Sequence, residues 1–360
     1  MLKSRSSNSY SENFLDRNFQ KLLVPFRCIQ HVWCIPSFTI KSNCIKPQKF
    51  SNKAMTFILH IGLLIFHITF ANSIIDRFIS DLLQYCCIMH FYCYIFIYCV
   101  FYYIYIKQQE DSIQMILDIQ RAFKMINYKY DTMFTIWSWI NIILYFFLYV
   151  AVVFMMPDYK MAGFLYTLLY FDVGNVYGMR VIALIRSGLK TWICQVKYYS
   201  KVISELTEED YGVTLMKLFD AYILFQLLET FSTSIQVLQF VIEVQKRRKA
   251  AGGSFIFGPF ETAGILWISK NIIIIIVFSA SCEKLYMSVN EANSLCCSML
   301  KSTQGTVNAK RFYKNVQRLN RAAFHKMTAY HIFTINGRLP QHFFYLVFAH
   351  MIVVLQLNLL

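Results

Sequence analysis

The sequence predicts an all-α protein that crosses a membrane several times. Of its 360 residues, 57% are hydrophobic and only 15% are charged, whereas a soluble domain usually carries about 25% charged residues. Seven apolar stretches are each long enough to cross the roughly 30 Å hydrocarbon core of a bilayer as a helix. They cover residues 54–75, 82–106, 132–155, 161–185, 219–241, 255–279 and 341–360.

Three parts of the chain are less regular. Asp172, Asn175 and Arg180 interrupt the fourth stretch, and residues 22–40 contain an arginine and two prolines, which favours a helix lying in the membrane interface. Residues 282–340 mix apolar side chains with many cations, so they form either a helical cytoplasmic layer or a solvated basic loop. The resulting order is a cytoplasmic region 1–53, six spans within 54–281, a cytoplasmic helical region 282–340 and a seventh span, 341–360.

The distribution of basic residues predicts the orientation of the chain. Twenty-six of the 35 lysines and arginines fall on one side of the seven predicted spans, and six fall on the other. Because cytoplasmic loops carry the excess of basic residues, the amino terminus is expected in the cytoplasm and the carboxyl terminus outside. The basic cluster Lys246 to Lys249 falls on the outer side, against this trend. Either its helix extends beyond the outer membrane surface, or the hairpin between the fifth and sixth spans is placed differently.

Several classes of protein are disfavoured by motifs that the sequence lacks. It has no HExxH or GxSxG motif and no CxxC pair, so we expect no enzyme, no catalytic residue, no metal and no cofactor. The net charge of +15 is explained by basic membrane loops, so no nucleic-acid partner is expected. A G-protein-coupled receptor would place its amino terminus outside and would normally carry an Asn-Pro in its last span, so that class is a weaker alternative.

The last stretch combines an apolar helix with a glutamine, Gln356, late in its length. Ala349, Val353, Gln356 and Leu360 form one stripe at 100° per residue. An amide facing lipid costs several kcal/mol unless water or a hydrogen-bonding group meets it. The stripe therefore either lines a shared pore, or Gln356 pairs with a neighbouring helix or reaches the outer surface.

The same stretch resembles the last span of insect gustatory receptors. The family signature is Thr-Tyr, five hydrophobic residues and Gln-Phe, and residues 349–357 here read AHMIVVLQL, with Gly337 matching a glycine before the helix. The resemblance implies a ligand-gated, non-selective cation channel in the plasma membrane of sensory neurons, built as a homo- or heterotetramer. Val353 would be its hydrophobic gate and Gln356 its polar ring. An odorant receptor subunit that needs a coreceptor is the alternative.

The resemblance also implies a pocket for a small-molecule tastant among the spans, towards their outer half. Aromatic faces and carboxylates there can bind sugars or alkaloids, and the apolar setting leans slightly towards bitter compounds. Asp172 can serve this pocket or pair with Arg180. The candidate residues are Tyr85, Tyr149, Tyr166, Tyr170, Asp172, Gln236, Gln239 and Trp267.

Overall fold

The computed structural model describes most of the chain, with several gaps. The described residues are 13–32, 38–75, 92, 95, 99, 109–130, 132–155, 159–198, 211–252, 258–301, 307–323, 326–329 and 332–359. Within them the chain is mostly helical, which agrees with the predicted all-α class. The helices and strands are α1 (Arg17–Val32), β1 (Thr39–Lys41), β2 (Cys44–Lys46), α2 (Phe50–Ile75), α3 (Gln109–Met125), α4 (Thr132–Met155), α5 (Tyr159–Tyr198), α6 (Tyr211–Ala250), α7 (Pro259–Lys301), α8 (Val307–Ala323), β3 (Thr328–Ala329), β4 (Phe333–Thr334) and α9 (Leu339–Leu359).

Four of these helices are long and apolar enough to cross a membrane. Their membrane-compatible parts are Thr132–Phe154, Gln226–Ala250, Glu261–Lys301 and Leu339–Gln356, and Phe50–Phe66 is a shorter apolar helix. The predicted span 161–185 is helical within α5, whereas most of 82–106 lies outside the described residues. A helical membrane protein is therefore supported, and the count of seven spans and the orientation of the ends stay predictions.

Helix α7 lies at the centre of the described bundle. It packs against α4, α5, α6, α8 and α9, and Ile275 and Phe278 from its middle are buried in the main core. Its 43 residues are about 65 Å long, roughly twice the thickness of a hydrocarbon core. The excess length carries a second apolar cluster, where Cys296 meets Val196 of α5 and Tyr313 of α8. Helical packing of this kind was expected for region 282–340.

The amino-terminal helix differs from the predicted interfacial segment. Helix α1 ends at Val32, and its apolar side faces protein, with Phe19, Leu22 and Phe26 buried. It packs against α4 and α5, and its core continues into α3 through Phe123. An amphipathic pattern marks an apolar face, but whether lipid or protein covers that face depends on partners far away in the sequence.

The basic cluster Lys246 to Lys249 is part of a helix. Helix α6 continues through it to Ala250, and Arg248 forms an ion pair of 3.2 Å with Glu261 in the first turn of α7. Arg247 pairs with Glu243 one turn back along α6. The helix is therefore longer than the predicted span, and the position of its end relative to the membrane stays a prediction.

Candidate functional site

A group of charged side chains lies at the middle of three neighbouring helices. Asp172 on α5, Glu229 on α6 and Lys270 on α7 are only 2%, 7% and 6% exposed. Each lies near the centre of its predicted span, so antiparallel packing brings the three to a similar depth. Burying charges without partners would cost several kcal/mol each. With Trp267 and Asn271 they form what we call the midspan cluster.

The ammonium group of Lys270 has two kinds of partner. Its Nζ lies 2.5 Å from Asp172 Oδ2, which forms a buried ion pair between α5 and α7. The same Nζ lies 3.4 Å from the centre of the Trp267 ring and 5.9 Å from the Tyr145 ring on α4. A carboxylate and two aromatic faces thus replace the water that the ammonium loses.

The carboxylate of Glu229 is held by neutral donors. Trp267 donates from Nε1 to Oε1 at 3.0 Å, and Asn271 donates from Nδ2 to Oε2 at 2.6 Å. Trp267 therefore joins the two halves of the cluster, because its ring lies against Lys270 and its N–H binds Glu229. The cluster contains two carboxylates but a single ammonium.

Some polar atoms beside the cluster are buried and make no hydrogen bond within the described part of the chain. Asn271 Oδ1 and Gln226 Nε2 are two of them. Gln226 lies about one turn from Glu229 on α6, and its Oε1 accepts a 2.7 Å hydrogen bond from Asn175 Nδ2 of α5. Buried polar groups normally have a partner, either in the protein or in bound water. An unused acceptor and an unused donor therefore mark a place where water or a polar ligand can bind.

The cluster contains two of the residues that the sequence proposed for a ligand pocket, Asp172 and Trp267. Gln236 and Gln239 lie on α6 about 10 and 15 Å further along the helix than Glu229, so they lie at another depth. Tyr149 is half-buried on α4, one turn beyond Tyr145. Tyr166 and Tyr170 belong to α5, but their side chains and all of Tyr85 lie outside the described residues.

Lys270 and Asn271 were not proposed for the site from the sequence. The signal for Lys270 was present, since it is a cation inside an otherwise apolar segment, and such residues are rare and costly. The suggested pairing of Asp172 with Arg180 is wrong. Arg180 instead donates to Ser138 Oγ at 3.0 Å and to the carbonyl oxygen of Phe134 at 2.7 Å, because eight residues of helix separate it from Asp172 by about 12 Å.

The predicted pore stripe lies on the outward side of α9. Leu339, Phe343 and Val347 are buried against the bundle. Ala349, Val353 and Gln356 are exposed and lie about 180–240° around the helix from Val347. Leu360, the fourth residue of the stripe, lies outside the described residues.

His350, next to the stripe, packs against a neighbouring helix. Its ring meets that of Phe231 on α6 edge to face, with the ring centres 4.7 Å apart. Its Nδ1 lies 3.1 Å from the carbonyl oxygen of Leu346, one turn back along α9. His350 is thus oriented towards α6, and the stripe of Ala349 and Val353 is left on the free side of the helix.

Among the described residues, no three His, Cys, Asp or Glu side chains come together in a way that could hold a metal ion.

Comparison with known proteins adds no family to these observations. No protein-family model matches the chain, and no curated protein matches it in sequence.

Proposed function

We propose that this protein is a subunit of a ligand-gated, non-selective cation channel of the gustatory receptor type, located in the plasma membrane of sensory neurons. The observation that carries the proposal is the division of α9 into two faces. One face packs on α6 and α7, and the opposite face presents Ala349, Val353 and Gln356 to the outside of the subunit. A helix with an amide on its unpacked face needs another partner for that face in a membrane.

Four copies arranged around an axis would provide that partner. The Gln356 amides would then meet one another and water rather than lipid. Val353 is 50% exposed in the single subunit and lies about one turn before Gln356. A ring of valines can close a pore by excluding water, and a ring of amides can hydrate passing cations.

The midspan cluster is the proposed ligand site. The faces of Trp267 and Tyr145 suit an apolar or aromatic ligand, and the carboxylate of Glu229 can bind a basic nitrogen or a hydroxyl group. Two carboxylates against one ammonium favour a ligand that brings a positive charge. This chemistry fits bitter alkaloids better than sugars.

Helix α6 can connect the ligand site with the pore. Glu229 on one face of α6 binds Trp267 and Asn271, while Phe231, on another face of the same turn, contacts His350 on α9. A ligand that repositions Glu229 would shift α6 and, through Phe231, press on α9 beside Ala349. Ligand binding could then favour the open pore by its differential affinity for the two states.

The pore proposal is tested by Gln356→Ala in cells that express the full chain. We expect a changed reversal potential in mixed cation solutions or a changed single-channel conductance, with unchanged surface expression. Gln341→Ala is the matched control, because Gln341 is an exposed glutamine at the other end of α9. Identical currents from Gln356→Ala and the parent channel would exclude the pore assignment.

The ligand site is tested by Glu229→Gln in the same cells against a panel of alkaloids and sugars. Loss of a buried carboxylate contact should raise the half-maximal alkaloid concentration roughly ten-fold or more. Glu243→Gln, on the same helix but paired with Arg247, should leave it unchanged. A response confined to sugars would exclude the alkaloid preference. Current that appears only with a second chemoreceptor subunit would favour the odorant receptor alternative.

A further inference from the structure

We propose that the β1–β2 hairpin and the first turn of α2 form a binding surface for anionic phospholipid headgroups. Four lysines define this basic hairpin surface: Lys41, Lys46, Lys49 and Lys53. The sequence has no acidic residue between positions 17 and 75, so this part of the chain carries only positive formal charges. Lipid-binding segments of this kind are basic clusters directly beside a membrane helix.

The register of the hairpin places two of the lysines on one exposed face. Thr39 pairs with Lys46, Ile40 with Ile45 and Lys41 with Cys44. Ile45 is fully buried in the amino-terminal core. Because side chains alternate along a strand, Lys41 and Lys46 point away from that core, and both are exposed.

The hairpin is held firmly in place. Its two turn residues, Ser42 and Asn43, have φ values of 52° and 61°, as a tight two-residue turn requires. The Asn43 carbonyl oxygen accepts a 2.7 Å hydrogen bond from the Leu15 amide, and Asn43 Oδ1 accepts one of 3.1 Å from Gln20 Nε2. The lysines are thus presented on a preformed surface, which lowers the entropic cost of binding headgroups.

The other two lysines lie where an apolar helix surface begins. Lys49 precedes α2, Lys53 lies in its first turn, and the intervening Phe50 is 86% exposed. Met55 and Ile58 in the next turn are also largely exposed. An exposed apolar helix surface is stabilised by contact with lipid chains. Because Lys49 and Lys53 lie where this surface begins, they are at the depth of the lipid headgroups. The first turn carries no acidic side chain, and its amide groups favour an anion.

A second basic surface on α8 lacks these properties. Arg311, Lys314 and Arg318 are exposed, but the apolar side of α8 is covered by α7, where Tyr313 packs against Cys296. Cys296 lies about 25 Å along α7 beyond the predicted end of the sixth span. The basic residues of α8 therefore have no lipid-facing apolar surface beside them. This contrast favours the membrane, rather than a soluble polyanion, as the partner of the hairpin.

The test uses the full-length protein in nanodiscs of phosphatidylcholine alone or with about 20% phosphatidylserine, an anionic lipid. Hydrogen exchange of the backbone amides of 39–53 is measured in both. We expect exchange to slow several-fold with phosphatidylserine, and this protection to vanish at high salt because the contacts are electrostatic. A triple variant should lose this protection and retain roughly ten-fold less phosphatidylserine on the purified protein. Its replacements are Lys41→Gln, Lys46→Gln and Lys49→Gln.

The matched control removes the same number of charges from α8, as Arg311→Gln, Lys314→Gln and Arg318→Gln. It should keep full protection of 39–53. Equal exchange in the two kinds of nanodisc would overturn the proposal. An equal loss in both triple variants would also overturn it, since net charge and not the hairpin would then be responsible. All replaced residues are exposed, and unchanged helical circular dichroism would confirm that the variants fold.

Discussion

The burial of Lys270 is stabilised by its neighbours. A lone ammonium inside the bundle would lose its hydration without replacement. Asp172, Trp267 and Tyr145 come from three different helices to surround it. The same residues hold α4, α5 and α7 together at one depth, so the ion pair specifies how these helices are aligned.

Replacing Lys270 with methionine should therefore destabilise the protein strongly. The change leaves the Asp172 carboxylate buried without its partner, which typically costs about 3–5 kcal/mol. Thermal unfolding of the purified protein in detergent would show a markedly lower midpoint. The double variant Asp172→Asn and Lys270→Met should recover part of the loss, because no charge then stays unpaired.

The control is an ion pair on the surface. Lys197 Nζ lies 2.8 Å from Glu291 Oε1, and both side chains are about half exposed. Lys197→Met should change the unfolding midpoint little, because exposed pairs contribute little to stability. An equal loss for Lys197→Met and Lys270→Met would contradict the role assigned to burial.

Helices α6 and α7 approach each other closely at a glycine. A Cβ atom at Gly264 would lie 2.9 Å from Val237 Cγ2 and 3.0 Å from Cγ1. Valine has few alternative rotamers in a helix, so a larger residue at 264 pushes the helices apart. The glycine thus sets the spacing of the two helices that carry Glu229 and Lys270.

Gly264→Ala should lower stability by about 1–3 kcal/mol, since overpacking outweighs the gain in helix propensity. Gly62→Ala is the control, because nothing lies within 4 Å of the added Cβ on α2. That change should leave stability equal or slightly higher. Thermal unfolding of both variants checks the prediction, and a stabilising Gly264→Ala would refute the close approach.

The segment before α9 is held by one tyrosine of α7. The Tyr286 hydroxyl donates to the Ile335 carbonyl oxygen at 3.0 Å and accepts from the Met327 amide at 2.8 Å, and all three residues are buried. Glu283 Oε2 also accepts from the Gly337 amide at 3.2 Å. The start of the proposed pore helix is thus tied to the extended part of α7.

Tyr286→Phe should loosen this connection. It leaves a buried carbonyl and a buried amide without their partner, at a cost on the order of 2 kcal/mol. Hydrogen exchange in 326–338 should become faster, whereas Tyr345→Phe, at a mostly exposed position on α9, should have no effect. Unchanged exchange in Tyr286→Phe would show that the hydroxyl is dispensable.

At the scale of the whole molecule, the excess of basic residues predicts which ends of the helices face the cytoplasm. The extended end of α6 carries Lys249, and α8 carries Lys314, and the prediction places them on opposite sides of the membrane. Helix α7 is 43 residues long, more than a hydrocarbon core requires, so it is long enough to place its two ends on opposite sides of a membrane.

Cysteine labelling in intact cells tests this orientation. A membrane-impermeant maleimide should react with the variant Lys249→Cys in intact cells and with Lys314→Cys only after permeabilisation, relative to the parent chain. Both positions are exposed, so access to the side chain is not limited by packing. The opposite labelling pattern would invert the predicted orientation.

Much of the helical layout could be predicted from the sequence, because long apolar stretches form helices in a membrane whatever their neighbours are. The predicted span 132–155 coincides with α4, and the helical character expected for 282–340 is present in α7 and α8. Helix ends were less predictable. Helix α6 runs nine residues beyond the predicted span, because Arg248 near its end forms an ion pair with Glu261 at the start of α7.

By itself, the sequence determined that this protein is built from membrane-compatible helices and that α9 carries the amide of Gln356 in an apolar setting. The tertiary structure alone decided that Asp172 meets Lys270 rather than Arg180, because these partners are 98 residues apart and on different helices. It also decided which face of α9 packs and which stays free. Hydropathy is a local property of the chain, but pairing depends on which helices lie side by side.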